Sequence, residues 1–200
     1  MREGGDGKPS RVIEGYAIMF DVPSVPLYQD DTEEIREVIS RAAITRELLD
    51  KSDIKMTLFH DRQLILARSK QGAGTLSYDI DEQGVSFSFE APMTVDGDKA
   101  VELVRRGDIT GCSFAFTADY SNRAKVTRET VRNDAGQSVT TFTVMQIDGV
   151  YDFTLAADPA YEQTSCALRE MIEREHATID EVAAKSREQI SEMRMITGIF

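Results

Sequence analysis

The chain has 200 residues, of which 41% are hydrophobic, so it is long and apolar enough to fold around a core and is not a disordered chain. Its 35 acidic and 23 basic side chains give a net charge of -12, which argues against a protein that neutralises nucleic-acid phosphates. No apolar run approaches the roughly 18 residues of a membrane-spanning helix, and the first residues lack an apolar signal segment, so we expect a cytosolic protein without a membrane partner.

Short apolar segments separated by turns fill the chain from residue 11 to about 160, after a polar, Gly-rich stretch at 1–10 that predicts a frayed tail. β-Branched and aromatic residues dominate most of these segments, as they do in strands. Strands are therefore predicted at residues 11–20, 35–39, 54–61, 64–70, 74–80, 85–91, 108–121 and 150–161, with a hairpin over 125–147 that turns at 133–136.

Two short helices are predicted between these strands from the spacing of their apolar residues. They cover residues 42–52 and 97–107. The second helix has Asp96 or Asp98 available as its N-cap, and Gly107 occupies the place where a glycine commonly ends a helix.

The fold class that follows is mainly β with α (α+β): a closed or partly closed β-barrel with short helices, plus a C-terminal amphipathic helix. From about residue 161 apolar side chains recur at helical spacing among charges. The predicted organisation is a flexible tail at 1–10, the β-barrel domain at 11–160 and a helical segment at 161–200. That helix would pack on the barrel or pair with another helix, so we expect a homo-oligomer.

Cysteine and histidine are scarce, and this limits metal and redox chemistry. Two cysteines, Cys112 and Cys166, are too few for a disulfide framework in a chain of this length. Together with the two histidines they match no zinc-binding spacing. We therefore expect free thiols, no metal ion and no organic cofactor.

Candidate catalytic residues stand out by type and position. His60 ends a predicted strand, whereas His176 lies in the predicted C-terminal helix. Ser113 follows Gly111 in a segment whose alternation turns the serine away from its phenylalanine neighbours. A glycine at that point lets backbone N–H groups approach an oxyanion. Asp152 is an acid inside an apolar strand, where it needs a partner. A serine, a histidine and an acid form the set that nucleophilic hydrolysis uses.

Each candidate also has a simpler interpretation. Ser113 can be an outward polar residue of a strand, and His60 can pair with the adjacent Asp61 at the surface. Asp152 can bond a neighbouring turn. Cys112 is a second candidate nucleophile, although alternation places it on the face opposite Ser113. The His60–Asp61 pair also fits the dyad of metal phosphohydrolases, but that site needs more histidines than this chain has.

Six segments carry short motifs: E-G-Y-A-I-M-F at 14–20, I-R-E-V-I-S-R-A-A-I at 35–44, M-T-L-F-H-D at 56–61, D-E-Q-G-V at 81–85, V-E-L-V-R-R-G-D-I-T-G-C-S-F-A-F at 101–116 and V-Y-D-F-T-L-A-A-D-P-A-Y at 150–161. In this order they resemble the phage prohead protease family, the capsid-maturation proteases related to herpesvirus assemblins. The family's catalytic histidine falls on His60 and its nucleophile on Ser113. Asp152 stands where the family more often has Glu.

The resemblance implies a serine endopeptidase that processes capsid and scaffold proteins during prohead maturation, with Ser113 as nucleophile, His60 as base and Asp152 as the acid that orients the base. It implies the major capsid and scaffold proteins as substrates, self-cleavage, and a place in the host bacterial cytoplasm within the assembling prohead. Two alternatives stay open. A non-catalytic assembly module that binds scaffold or capsid would not react with a serine-directed probe, and a thiol hydrolase using Cys112 would be sensitive to iodoacetamide.

Overall fold

A computed structural model of the chain describes residues 10–168. The predicted tail at 1–10 lies outside this part except for residue 10. In this part of the chain, two α-helices, α1 (Arg46–Lys51) and α2 (Val95–Arg106), and a 3-10 turn at Arg41–Ala43 connect the strands. In chain order the strands are β1 (Val12–Met19), β2 (Tyr28–Gln29), β3 (Glu33–Ile39), β4 (Asp53–Leu58), β5 (Asp61–Lys70), β6 (Ala73–Gly74), β7 (Leu76–Ile80), β8 (Gly84–Glu90), β9 (Gly111–Thr117), β10 (Val126–Arg132), β11 (Ser138–Val144), β12 (Gly149–Ala156) and β13 (Ser165–Leu168).

These strands form three sheets. The first is antiparallel, in the order β13-β1-β8-β7. The second, β10-β11-β3-β2, contains the predicted hairpin, whose strand β11 runs parallel to β3. The third, β6-β5-β4-β12-β9, has β12 parallel to β4 and antiparallel to β9. The mainly β, α+β class is therefore confirmed.

The predicted barrel is not found. Within residues 10–168 the strand ladders form three open sheets, and none closes on itself. Strand count and alternation suggested a barrel, but closure depends on which edge strands pair. Which strands pair is decided by contacts between distant segments, such as the parallel match of β11 with β3 inside the second sheet.

The hydrophobic core is formed by the inward faces of the sheets, as alternation predicted. In β8, Val85, Phe87 and Phe89 are buried while the serines between them are only partly covered. Helix α2 adds Ala100, Val101 and Val104 to the same core. The largest fully buried side chains are Phe153, Ile13, Ile18, Ile39, Leu49, Ile54, Met56, Leu58, Ile109, Leu155 and Val85.

Helix α2 begins earlier than predicted. Its N-cap is Thr94, whose Oγ1 accepts a hydrogen bond from the backbone N–H of Gly97 at 3.2 Å, so neither Asp96 nor Asp98 is the cap. Both aspartates lie in the first turn, where their charge favours the positive end of the helix dipole. Gly107 ends the helix in the left-handed conformation at φ 75°, as predicted.

The expectation of a helix starting at residue 161 is wrong. Ser165–Leu168 form strand β13, which pairs antiparallel with β1. A short apolar run fits the period of a helix as well as that of a strand. This run forms a strand because it pairs with the free edge of β1. The rest of the predicted helical segment lies outside the described residues.

Gly15 shows how closely β13 approaches β1. A Cβ atom at Gly15 would lie 1.9 Å from the carbonyl oxygen of Ser165. We expect Gly15→Ala to separate the two strands and lower the free energy of unfolding by about 2 kcal/mol, the usual range for a forced steric overlap. Urea unfolding followed by circular dichroism measures it, with the exposed Ser77→Ala as control. Equal stability of the two variants would contradict the close packing.

Candidate functional site

The position of β12 between β4 and β9 brings the candidate residues onto one face of the third sheet. Thr154 lies directly opposite Ser113 of β9 and beside Thr57 of β4. Asp152 precedes Thr154 by two residues and therefore points to the same side. Side chains opposite one another in neighbouring strands share a face, so Ser113 and Asp152 lie on one surface of the sheet.

His60 reaches this face from the turn between β4 and β5. Leu58 pairs with Asp61, which leaves a turn of two residues, Phe59 and His60, with φ 57° and 56°. The turn places the imidazole against β12, where His60 Nδ1 and Asp152 Oδ1 are 2.8 Å apart. Asp152 is buried at 4% exposure, whereas 44% of the His60 side chain is exposed. One edge of the ring therefore rests on a buried carboxylate and the other is open.

This hydrogen bond excludes the simpler interpretation of His60. The neighbouring Asp61 accepts a hydrogen bond from the backbone N–H of Gln63 at 2.8 Å, and the imidazole pairs with Asp152 across the sheet instead. If Asp152 is ionised it can only accept, and His60 in the tautomer protonated at Nδ1 then donates to it. In that tautomer Nε2 carries no proton and can accept a hydrogen bond.

The Ser113 hydroxyl is partly exposed and forms no hydrogen bond with any other residue between 10 and 168. The sheet brings Ser113 to the face that carries His60 and Asp152, and the hydrogen bond among these three side chains joins the histidine and the acid.

A cavity of about 490 Å³ opens beside Ser113. It lies beyond Ser113 in the direction away from Asp152, because β12 continues past Thr154 into the cavity wall. Gly111 allows this wall to come close, since a Cβ there would lie 2.4 Å from Cγ of Pro159. The lining residues are Val25, Thr110, Ser113, Glu162 and residues 157–160.

Hydrogen bonds, one of them buried, hold the wall of this cavity. Val25 N–H donates to the carbonyl of Ala160 at 2.9 Å, and the Tyr161 hydroxyl donates to Glu37 at 2.9 Å. Glu37 is only 7% exposed and also accepts from the hydroxyl of Tyr120. Burial, reinforced by the charge of Glu37, raises the pKa of Tyr161 far above its ordinary value. The phenol therefore stays protonated and remains a donor.

Cys112 is excluded as a nucleophile. It is fully buried, and its thiol donates to the backbone carbonyl of Ser113 at 3.4 Å. Burial raises its pKa well above the ordinary thiol value, with a further contribution from the nearby Cys166. A thiolate is the reactive form of cysteine, so this environment suppresses its reactivity.

Thr154, Thr57 and Glu37 were not identified from the sequence. Thr154 lies two residues after Asp152 in the same predicted strand, so the alternation of the strand already indicated that both side chains lie on the same face. Nothing local indicated that Glu37 would be buried against Tyr161, because the two residues are distant in the sequence. Among the described residues no group of three or more His, Cys, Asp or Glu is arranged to hold a metal ion, and no helix is long and apolar enough to cross a bilayer.

Sequence comparison places the chain in a known class of enzyme. The family described as caudovirus prohead serine protease matches residues 2–181 of the chain. The chain belongs to this family. Prohead serine proteases mature the phage capsid, so the protein is a capsid-maturation hydrolase with capsid-related protein substrates, and it acts in the assembling capsid within the host. A search of curated proteins finds no match.

Family membership decides between the alternatives left by the sequence. A serine protease is retained over the non-catalytic assembly module. The predicted resemblance to prohead proteases is confirmed over most of the chain. The roles of Ser113, His60 and Asp152 stay predictions.

The thiols provide a direct test of the burial described above. Burial raises the pKa of Cys166 to about 12 and raises the pKa of Cys112 well above its ordinary value. At pH 8 we therefore expect neither thiol of the folded protein to react quickly with Ellman's reagent, and both to react after unfolding in guanidinium. Rapid reaction of Cys112 in the folded protein would contradict its burial and would restore it as a candidate nucleophile.

Proposed function

We propose that the protein hydrolyses peptide bonds of capsid and scaffold proteins through an acyl-enzyme, with Ser113 as nucleophile, His60 as general base and Asp152 as the acid that orients His60. The observation that supports this most directly is the 2.8 Å hydrogen bond between His60 Nδ1 and the buried Asp152, on the sheet face that also carries Ser113.

In the proposed reaction, Ser113 Oγ forms a bond to the carbonyl carbon of the scissile peptide while His60 Nε2 takes the hydroxyl proton. Asp152 holds the ring in the tautomer that exposes Nε2 and stabilises the positive charge that develops on it. The tetrahedral intermediate then breaks its C–N bond, and His60 passes the proton to the leaving amine. Water, activated by the same histidine, hydrolyses the ester and frees Ser113.

The substrates in this proposal are the major capsid and scaffold proteins and the protease itself. Self-cleavage makes the purified chain its own first substrate, so activity is measurable without other phage proteins. The proposal places no cofactor in the reaction.

Replacement of Ser113 tests the nucleophile. We expect Ser113→Ala to stop self-cleavage and labelling by a fluorophosphonate, because the hydroxyl that forms the ester is gone. Intact-mass spectrometry of concentrated wild type and variant measures both. Ser86→Ala on β8 is the matched control and should behave as wild type. Fragments from Ser113→Ala equal to those from wild type would refute the assignment.

Replacement of the buried acid tests its orienting role. An amide at position 152 can present its NH₂ to the ring and favour the wrong tautomer, so we expect Asp152→Asn to reduce the rate of Ser113 labelling by about 10³ to 10⁴-fold. Near-UV circular dichroism checks that the fold is kept. If a folded Asp152→Asn variant is labelled less than about tenfold more slowly than wild type, Asp152 is excluded as the orienting acid.

The charge of the cavity beside Ser113 supports a preference in the substrate. Asp158 and Glu162 line it, both exposed, and within residues 10–168 neither forms an ion pair. Among residues 10–168, no Lys or Arg lines this cavity. The leaving amine must lie toward His60 to receive its proton. The cavity lies on the other side of Ser113, so it would receive a side chain from the acyl part of the substrate.

We expect lysine or arginine to be favoured on the acyl side of the cleaved bond. A peptide library prepared with chymotrypsin keeps Lys and Arg inside its peptides. The protease is incubated with this library, and mass spectrometry of the new termini measures the preference. In a combined Asp158→Asn, Glu162→Gln variant the preference should fall by about fivefold, the effect of two exposed ion pairs. Asp134→Asn, in the distant β10–β11 turn, is the control. An unchanged preference in the combined variant would contradict the role of the cavity.

A further inference from the structure

The turn that carries His60 adopts a backbone conformation that its residues do not favour. Both Phe59 and His60 have positive φ, the pattern of a type I′ hairpin turn. Such turns strongly prefer Asn and Gly, because a side chain at positive φ approaches the following carbonyl oxygen. A bulky aromatic residue followed by histidine is therefore held in this conformation by its surroundings.

Hydrogen bonds from the turn to β12 hold the turn in this conformation. The backbone N–H of Phe59 donates to the carbonyl of Leu155 at 3.1 Å, and the backbone N–H of His60 donates to Oγ1 of Thr154 at 2.8 Å. The same oxygen accepts a hydrogen bond from the hydroxyl of Thr57 at 2.9 Å. Thr57 and Thr154 are both fully buried, so no solvent replaces these bonds.

Thr154 also occupies a central place in the site. The residue is paired with Ser113 of the neighbouring strand and follows Asp152 by two positions, and its hydroxyl accepts a hydrogen bond from the backbone N–H of His60. The ring of His60 is fixed at Nδ1 by Asp152 and its backbone is fixed by Thr154. Two bonds from one strand thus define both the position and the orientation of the imidazole relative to the serine on the next strand.

We propose that Thr154 is a positioning residue, whose hydroxyl holds the strained Phe59–His60 turn so that the imidazole stays within reach of Ser113. The proposal rests on the proposed roles of Ser113 and His60. Thr57 supports Thr154 by orienting its hydroxyl.

Substitution by valine keeps the shape of Thr154 and removes the oxygen. We expect Thr154→Val to slow fluorophosphonate labelling of Ser113 by about 100-fold, the effect of roughly 1 Å of misplacement, while Thr154→Ser stays within about threefold of wild type. Thr140 offers a matched control, since it is 1% exposed and its Oγ1 lies 3.0 Å from Thr130 Oγ1 in the second sheet. Thr140→Val should lose comparable stability and keep the wild-type labelling rate.

A spectroscopic measurement separates positioning from loss of stability. The chain has two histidines, so ¹⁵N-histidine labelling resolves the downfield ring N–H of His60 that is hydrogen bonded to Asp152. We expect this signal to broaden or vanish in Thr154→Val and to persist in Thr154→Ser and Thr140→Val. If Thr154→Val does not fold, Thr154→Ala, which leaves room for water, is measured in the same way.

The outcomes distinguish the two levels of the proposal. If Thr154→Val is labelled as fast as Thr140→Val and keeps the His60 signal, the positioning role of Thr154 is overturned. The proposed reaction is unaffected by that result. Wild type that is not labelled at Ser113 would overturn the proposed reaction and the inference together. Slow labelling, a lost His60 signal and rescue by serine would establish Thr154 as the residue that positions the base.

Discussion

β12 runs parallel to β4 on one side and antiparallel to β9 on the other. The three strands come from distant parts of the chain, and their pairing alone brings Ser113, Asp152 and the turn with His60 to one face. A shift of register by one residue would turn Asp152 and Thr154 to the opposite face of the sheet, away from His60, where the buried acid would have no partner. The apolar residues that alternate with them, Phe153 and Leu155, are fully buried and fix the register.

Buried polar groups stabilise the site only because each has a partner. Asp152 binds the imidazole, Thr154 binds the backbone of His60, and Glu37 binds two tyrosine hydroxyls behind the cavity wall. A buried carboxylate without such bonds would be strongly destabilising, so these contacts specify one arrangement of the surrounding loops. In the proposed reaction, by contrast, substrate meets the more exposed groups: the outer edge of His60, the partly exposed Ser113 and the acids of the cavity.

Much of the secondary structure was predictable because it depends on local periodicity. The alternation in β8 and β9 gave both the strands and their buried faces, and Gly107 marked the end of α2. Errors arose where a distant contact decided the outcome. The strand β13 forms because β1 has a free edge beside Gly15, and the second and third sheets each contain a parallel pairing that no local pattern indicates.

The sequence by itself determined the residue types of the site, the face of Ser113 within its strand and the opposite face of Cys112, since each follows from the two-residue period of a strand. It also carried the order of motifs that marks the prohead protease family. Only the tertiary structure decided that His60 pairs with Asp152 and not with Asp61, and that Thr154 binds the turn. Those contacts join residues more than 90 positions apart, and only the folded sheet brings such residues within hydrogen-bonding distance.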